Sequence, residues 1–380
     1  MNVALTLETL PSEVMILIMQ SIPSPIDLQS AINASPVMFQ HYLAHRSTIM
    51  APAIHGLKAS YSPMGSANHM TLVTRTLPYR LLGKPVVRQE ARDLWRFGLF
   101  PSDLPCYTNW GNHLPLICEL YRQREEADHL IIEYSKEAWK RLILWKAEVE
   151  PLRPPASKWH PDLDRPLVLS EQETYAFERG FFLYESWRLV SYVDDYDEVI
   201  DIGELTDYYV RPWYYFGTGI RGFLDSSYFY STLAFVFDKF RTLVQRVSHQ
   251  LQKDPSKPLT LLSPGDNPTS VFLRRTEDRE VRYIVSLCTH GYTVLQNLQQ
   301  MKEEEMQNYV LSSYYELAKS KARFLASPEG PLKRYVFEEI SFRLRHIFGD
   351  IGGLSNPLSH GCYFWDYSRV YLASDRSVTA

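Results

Sequence analysis

Apolar residues recur along this chain at helical rather than strand spacing, with turn signals placed unevenly between them. The first fifty residues are the best punctuated. Thr9 is placed to cap a first helix, Pro11 suits its first turn, and Glu13 lies near its positive end. Val14, Leu17 and Ile18 fall on one face, while Met15, Ile16 and Met19 spread apolar groups over much of the rest. A short helix that is apolar on most sides has to be covered on more than one. Ser24, Pro25 and Asp27 supply a cap, a first-turn proline and an acid three residues after the cap. They open a second helix that runs through Leu28, Ala31 and Ile32 and stops near Asn33. Ser35 and Pro36 open a third, in which Phe39, Tyr42 and Leu43 share a face and His45 and Arg46 approach the end.

Three short helices in about forty residues bury too little surface to be very stable alone. The surplus apolar positions Met15, Ile16 and Met19 need a neighbour. On pattern alone two readings stay open: a helical cap on the chain's own main domain, or a module that docks on a partner.

Residues 51–84 contain Pro52, Gly56, Pro63, Gly65, Pro78 and Gly83 and read as an irregular connector, with a short extended piece at 71–76. A helix is expected over 86–99, a break around Trp110, and a strong helix over 116–149, where one interruption is allowed for. Five prolines between 151 and 166 mark a loop and a subdomain boundary. Ser170 and Glu173 open a further helix through Phe177, Phe181 and Tyr184. Helices are also expected over 228–252, nearly unbroken over 278–326, and over 332–348. Tyr363, Phe364 and Trp365 in the irregular tail are candidates to pack back onto the domain. No leucine-rich, WD-type or kelch-type repeat is present.

Composition changes this picture in four respects. A length of 380 residues calls for two or three domains, and 45% hydrophobic with 22% charged residues marks a globular chain. Aromatics at 13% support a large core, with many Tyr and Trp polar groups expected at its boundary with solvent. The net charge of -4, with no long basic run, argues against nucleic acid as a partner. Cys106, Cys118, Cys288 and Cys362 show no CxxC spacing, so free thiols in a reducing compartment are expected. Neither a signal peptide, a long apolar span nor a lipidation motif is legible, which points to the cytoplasm or nucleus and away from a membrane.

Candidate chemistry is thin. Between Leu189 and Val210 there is no Lys or Arg, and seven acids alternate with tyrosines. Asp194 and Glu198 would share a helix face, but no His accompanies them and the calcium-loop pattern is not met. An exposed acidic face, or a patch that receives basic groups, explains them more simply. Gly217, Gly219 and Gly222 have GxGxxG spacing without the strand–helix repeat a dinucleotide fold needs, so a packed turn is the simpler reading. His41 and His45 stand four apart like two zinc ligands, but lack the intervening glutamate of a metalloprotease. His360 and Cys362 have nothing nearby to complete a site. There is no Gly-x-Ser-x-Gly elbow and no phosphate-binding lysine loop. An enzyme would need a site assembled from distant residues. No cofactor or metal is expected.

The stretch LPSEVMILIMQSIPSPIDLQSAINAS resembles an F-box. The family pattern opens with Leu-Pro and an acid, continues with spaced apolar positions, and places Asp-Leu at the next helix start. Here these are Leu10, Pro11, Glu13, Val14, Ile18, Ile22, Asp27 and Leu28. The following ASPVMFQHYLAHRSTIM resembles the ending seen in F-box-like proteins of filamentous fungi; Phe39 or Tyr42 stands where the family usually has a Trp.

The resemblance implies docking on the Skp-type adaptor of a cullin-RING ubiquitin ligase, with an unknown protein substrate held downstream. Its docking residues would be Leu10, Pro11, Glu13, Val14, Leu17, Ile18, Ile22, Asp27, Leu28 and Ile32, divided between the module's core and the partner groove. The expected architecture is mainly α: a three-helix F-box-like module at 1–50, a connector at 51–84, and a larger, irregular all-helical domain with long loops at 85–380. That domain would divide near 150–168. The alternatives are an interaction protein whose first helices pack on its own domain without ligase docking, and an enzyme.

Overall fold

The computed structural model describes residues 7–61, 113–149, 167–191, 220–253, 272–273, 275, 277–320, 361 and 364–365. Every regular element among the described residues is helical. A 3-10 turn at Leu7–Thr9 precedes α1 (Ser12–Gln20), α2 (Pro25–Ala34) and α3 (Pro36–Tyr61). Then come α4 (Leu114–Val149), α5 (Glu171–Ser191), α6 (Ile220–Lys253), α7 (Glu277–Cys288), α8 (Tyr292–Gln300) and α9 (Glu303–Ser320). The chain forms two compact units, residues 1–84 with 93–129 and residues 85–92 with 130–380.

In the first unit the caps act largely as their residue types dictate. Ser24 Oγ accepts from the Asp27 N–H at 3.1 Å and donates to Asp27 Oδ2 at 2.7 Å, which opens α2. Ser35 Oγ accepts from the Met38 N–H at 3.3 Å at the start of α3. The first helix differs from expectation. Thr9 belongs to the 3-10 turn, and Pro11 itself stands at the N-cap in extended conformation with no side-chain bond.

The third helix also differs. His45 leaves helical geometry (φ -126°, ψ 25°), which is where the helix was expected to end, but the chain bends there and stays helical to Tyr61. Pro52 and Gly56 had marked this stretch as a connector. Ile49, Met50 and Leu57 are buried along it, and that packing overrides local propensity. The rest of the expected connector, 62–84, lies outside the described residues. Residues 114–129 of α4 complete the unit with buried Leu116, Ile117 and Leu120. Cys118 Sγ donates to the Pro25 carbonyl at 3.2 Å.

The second unit is built on α5 and α6, whose long faces pack together. Phe177, Phe181 and Tyr184 of α5 and Phe229, Phe237 and Phe240 of α6 are buried. Gly180 makes the close approach possible: a Cβ there would meet the Tyr228 carbonyl oxygen at 3.0 Å and Thr232 Oγ1 at 2.5 Å. Residues 130–149 of α4 add Tyr134, which stacks on Phe235 with ring centroids 4.3 Å apart. Phe364 stacks on Phe177 at 4.4 Å and Trp365 meets Trp139 edge-on, so this part of the tail does pack back onto the domain.

Some tyrosines carry their hydroxyls into the core, while others among the described residues, such as Tyr121 and Tyr175, lie at its boundary as expected. Tyr134, Tyr184 and Tyr283 are buried, and their hydroxyls donate to the carbonyls of Ser231, Cys288 and Val310 at 2.9, 2.7 and 2.7 Å. Backbone carbonyls inside the helical packing supply the acceptors that sequence cannot locate.

Helix α4 runs as one helix over Leu114–Val149, without the interruption that was allowed for. Ser170 and Glu173 form a reciprocal capping box at the start of α5, with bonds of 3.1 and 3.0 Å. The stretch 278–326 was expected to be nearly continuous. Over its described part it is three helices, with breaks at Thr289–Gly291 and Met301–Lys302. Gly291 takes φ +97°, a conformation open to glycine, in a turn closed by local backbone bonds after α7. The helices expected over 86–99 and 332–348, the break at Trp110 and the proline-rich boundary at 151–166 lie outside the described residues. So does the acidic segment 192–209.

Candidate docking site

The first unit divides the ten expected docking residues by burial. Leu28 and Ile32 on α2 are buried in the unit's own core. Leu10 and Ile22 are half-buried, and Pro11, Glu13 and Asp27 are exposed. Asp27 is occupied with the Ser24 cap. Val14, Leu17 and Ile18 are exposed together on α1, Leu17 to 64%.

The surplus apolar face is therefore the opposite of the one expected. Met15 and Met19, both near 0% exposed, seat α1 against the unit. These residues share a side of the helix because they are four apart, and Val14, Leu17 and Ile18 are left on the other side. Sequence shows two apolar faces on this helix but not which one turns inward.

Two further exposed apolar residues of the first unit were missing from the expected set. Phe39 and Leu43, four apart on α3, are exposed, Leu43 to 52%. Tyr42, expected on their face, is buried instead with Met38. Burial pushes the Tyr42 hydroxyl above its ordinary value against the opposing charge of Arg46, and that hydroxyl has no hydrogen-bond partner. The i,i+4 spacing of Phe39 and Leu43 was the available signal, but the same spacing also fits a core face.

Gln20 closes α1. Its Nε2 donates to the Thr48 carbonyl on α3 at 2.9 Å. Ser21 ends the helix, its N–H bonded to the carbonyls of Leu17 and Ile18 and its hydroxyl to that of Ile18.

Neither a family model, nor a curated protein, nor a solved structure matches this chain.

Of the remaining candidate chemistry, His360 and Cys362 lie outside the described residues. The rings of His41 and His45 lie stacked with centroids 6.5 Å apart. Among the described residues no group of three or more His, Cys, Asp or Glu is placed to hold a metal ion. Of the GxGxxG glycines, Gly222 falls within α6; Gly217 and Gly219 lie outside the described residues.

In the second unit the half-buried charges pair with one another. Lys239 Nζ reaches Glu133 at 2.9 Å and Glu137 at 2.6 Å, while Arg141 bridges Glu137 at 2.6 Å and Asp238 at 2.7 Å. Tyr292 donates a hydrogen bond to Glu133. Burial alone would raise Glu133, but the bonds from Tyr292 and Lys239 outweigh it and hold the carboxyl below its ordinary value. Burial likewise opposes the charge on Lys239, and its two carboxylate partners reverse the effect and raise it. Each group is stabilised in its charged form, a poor starting point for proton transfer at neutral pH. Among the described residues no helix is long and apolar enough to cross a membrane.

Proposed function

We propose that the chain is a non-enzymatic adaptor. In this reading it is an F-box-like substrate receptor whose first unit docks on the Skp-type adaptor of a cullin-RING ubiquitin ligase, and whose second unit holds a protein substrate. The observation that carries the proposal is the exposure of Val14, Leu17 and Ile18 on one face of α1, inside the stretch that resembles an F-box. Large apolar side chains kept in water on a helix whose opposite face is already packed call for a partner. Burying two or three of them contributes on the order of several kcal/mol before the costs of association. Leu10, Pro11, Glu13 and Ile22 would border that face. Leu28 and Ile32 would support it from the core.

The test is direct binding of the full chain to a purified Skp-type adaptor, measured by calorimetry or interferometry. Saturable one-to-one binding that is lost when Leu17 is made acidic supports the reading. A folded wild-type chain that does not bind overturns it.

A further inference from the structure

Helix α1 is held to its unit by two kinds of contact. Met15 and Met19 supply apolar burial. That contact is non-directional, and methionine side chains are flexible, so by itself it leaves the helix free to slide or roll over small distances. The bond from Gln20 Nε2 to the Thr48 carbonyl is directional, and it ties the last residue of α1 to a fixed backbone atom on α3.

That carbonyl is available for a specific reason. In an uninterrupted helix it would accept from the N–H four residues later. The residue four positions after Thr48 is Pro52, which lies inside α3 and has no N–H. Pro52 leaves an acceptor unfilled on the helix surface, and Gln20, 28 residues earlier in the chain, fills it. A proline that read as a loop signal in the sequence thus creates the attachment point for the docking helix.

From this geometry we infer that Gln20 is a positioning residue: by filling the acceptor that Pro52 leaves open, it sets the rotation of α1 that presents Val14, Leu17 and Ile18. The inference rests on the docking reading above. Gln20 need not touch the partner. It acts by keeping one α1 orientation populated, so a looser helix has to be reordered at the moment of binding.

The experiment is a double-mutant cycle in the full chain with Gln20→Ala, Pro52→Ala and the double variant. Two readouts are taken: affinity for the purified Skp-type adaptor, and amide hydrogen exchange of the peptide covering α1. Gln20→Ala is expected to weaken binding about two- to tenfold, the range that one net hydrogen bond spans. Exchange in α1 is expected to quicken, while α5 and α6 exchange as in the wild type. Pro52→Ala restores an N–H that competes with Gln20 for the Thr48 carbonyl, so on its own it is expected to weaken binding and quicken α1 exchange as Gln20→Ala does. In that background Gln20→Ala is expected to change neither readout further. Gln20→Lys, which keeps a donor on a long stem, is expected to recover part of the loss.

Binding by Gln20→Ala as tight as wild type, or equal losses in both backgrounds, overturns the inference and leaves the docking reading standing. Faster α1 exchange with unchanged affinity also overturns it, since the bond would then be structural only. If the wild-type chain does not bind the adaptor at all, the docking reading fails and the inference fails with it.

Discussion

Arg188 lies across Gly291. A Cβ built on Gly291 would meet Arg188 Cδ and Nε, both at 3.0 Å. The guanidinium is not free to retreat, because its Nε donates to Glu185 Oε2 at 2.8 Å and Glu185 is fully buried. Gly291 also holds φ +97° in the turn between α7 and α8. Backbone strain and side-chain displacement therefore act together. Gly291→Ala is expected to cost about 1–3 kcal/mol of stability. Gly56→Ala is the control: it lies inside α3 with nothing within 4 Å of the new Cβ, and should stabilise by about 0.5–1 kcal/mol. Denaturant unfolding of the two variants measures both, and equal effects would contradict the assignment.

Leu17 and Leu28 should separate docking from folding. Leu17 is 64% exposed, so Leu17→Asp removes little packing and should leave the unfolding midpoint within the usual range for surface changes. Adaptor binding should fall at least about tenfold if Leu17 sits near the centre of the contact. Leu28 is buried, and Leu28→Ala should destabilise the first unit by roughly 2–4 kcal/mol through lost burial and a cavity. Circular dichroism and adaptor binding on the same samples distinguish the two outcomes.

Glu133 should contribute to the acid sensitivity of the second unit. Its carboxyl is held below the ordinary value of 4.5, so the folded chain binds fewer protons there than the unfolded chain does. The contribution is full above that ordinary value and is lost as pH falls through the lower folded value. Tyr292→Phe removes one of the donors that hold the carboxylate, so Glu133 should move back up and begin to protonate at a higher pH. The acid-unfolding midpoint of Tyr292→Phe is expected to lie above that of the wild type. A midpoint that is unchanged or lower would show that the Tyr292 bond does not stabilise the carboxylate.

Cys118 should resist alkylation in the folded chain. It is fully buried, burial pushes its thiol up to about 11, and its Sγ is engaged with the Pro25 carbonyl. At pH 8 the reactive thiolate is scarce and out of reach. Mass spectrometry of the peptide that contains Cys118 should show adduct only where denaturant opens the first unit. Rapid labelling without denaturant would contradict this burial.

How much of the protein was legible in its sequence depends on how local the cause is. The α-helical class, the starts of α2, α3 and α5, and the Ser24, Ser35 and Ser170 caps follow from residues within one turn of each other. Side-chain oxygens reach only nearby N–H groups, so sequence spacing settles them. The two apolar faces of α1 were legible in the same way, because helical periodicity is local.

Tertiary structure decided which face of α1 turns inward, since burial depends on what packs there: Met15 and Met19 go in, Val14, Leu17 and Ile18 stay out. It also decided that α3 survives Pro52 and Gly56, where the burial of Ile49, Met50 and Leu57 outweighs two helix-breaking signals. The bond from Gln20 to the Thr48 carbonyl and the crossing of Arg188 over Gly291 each join residues far apart in the chain. Local propensity carries no information about such pairs, because they exist only once distant helices have packed.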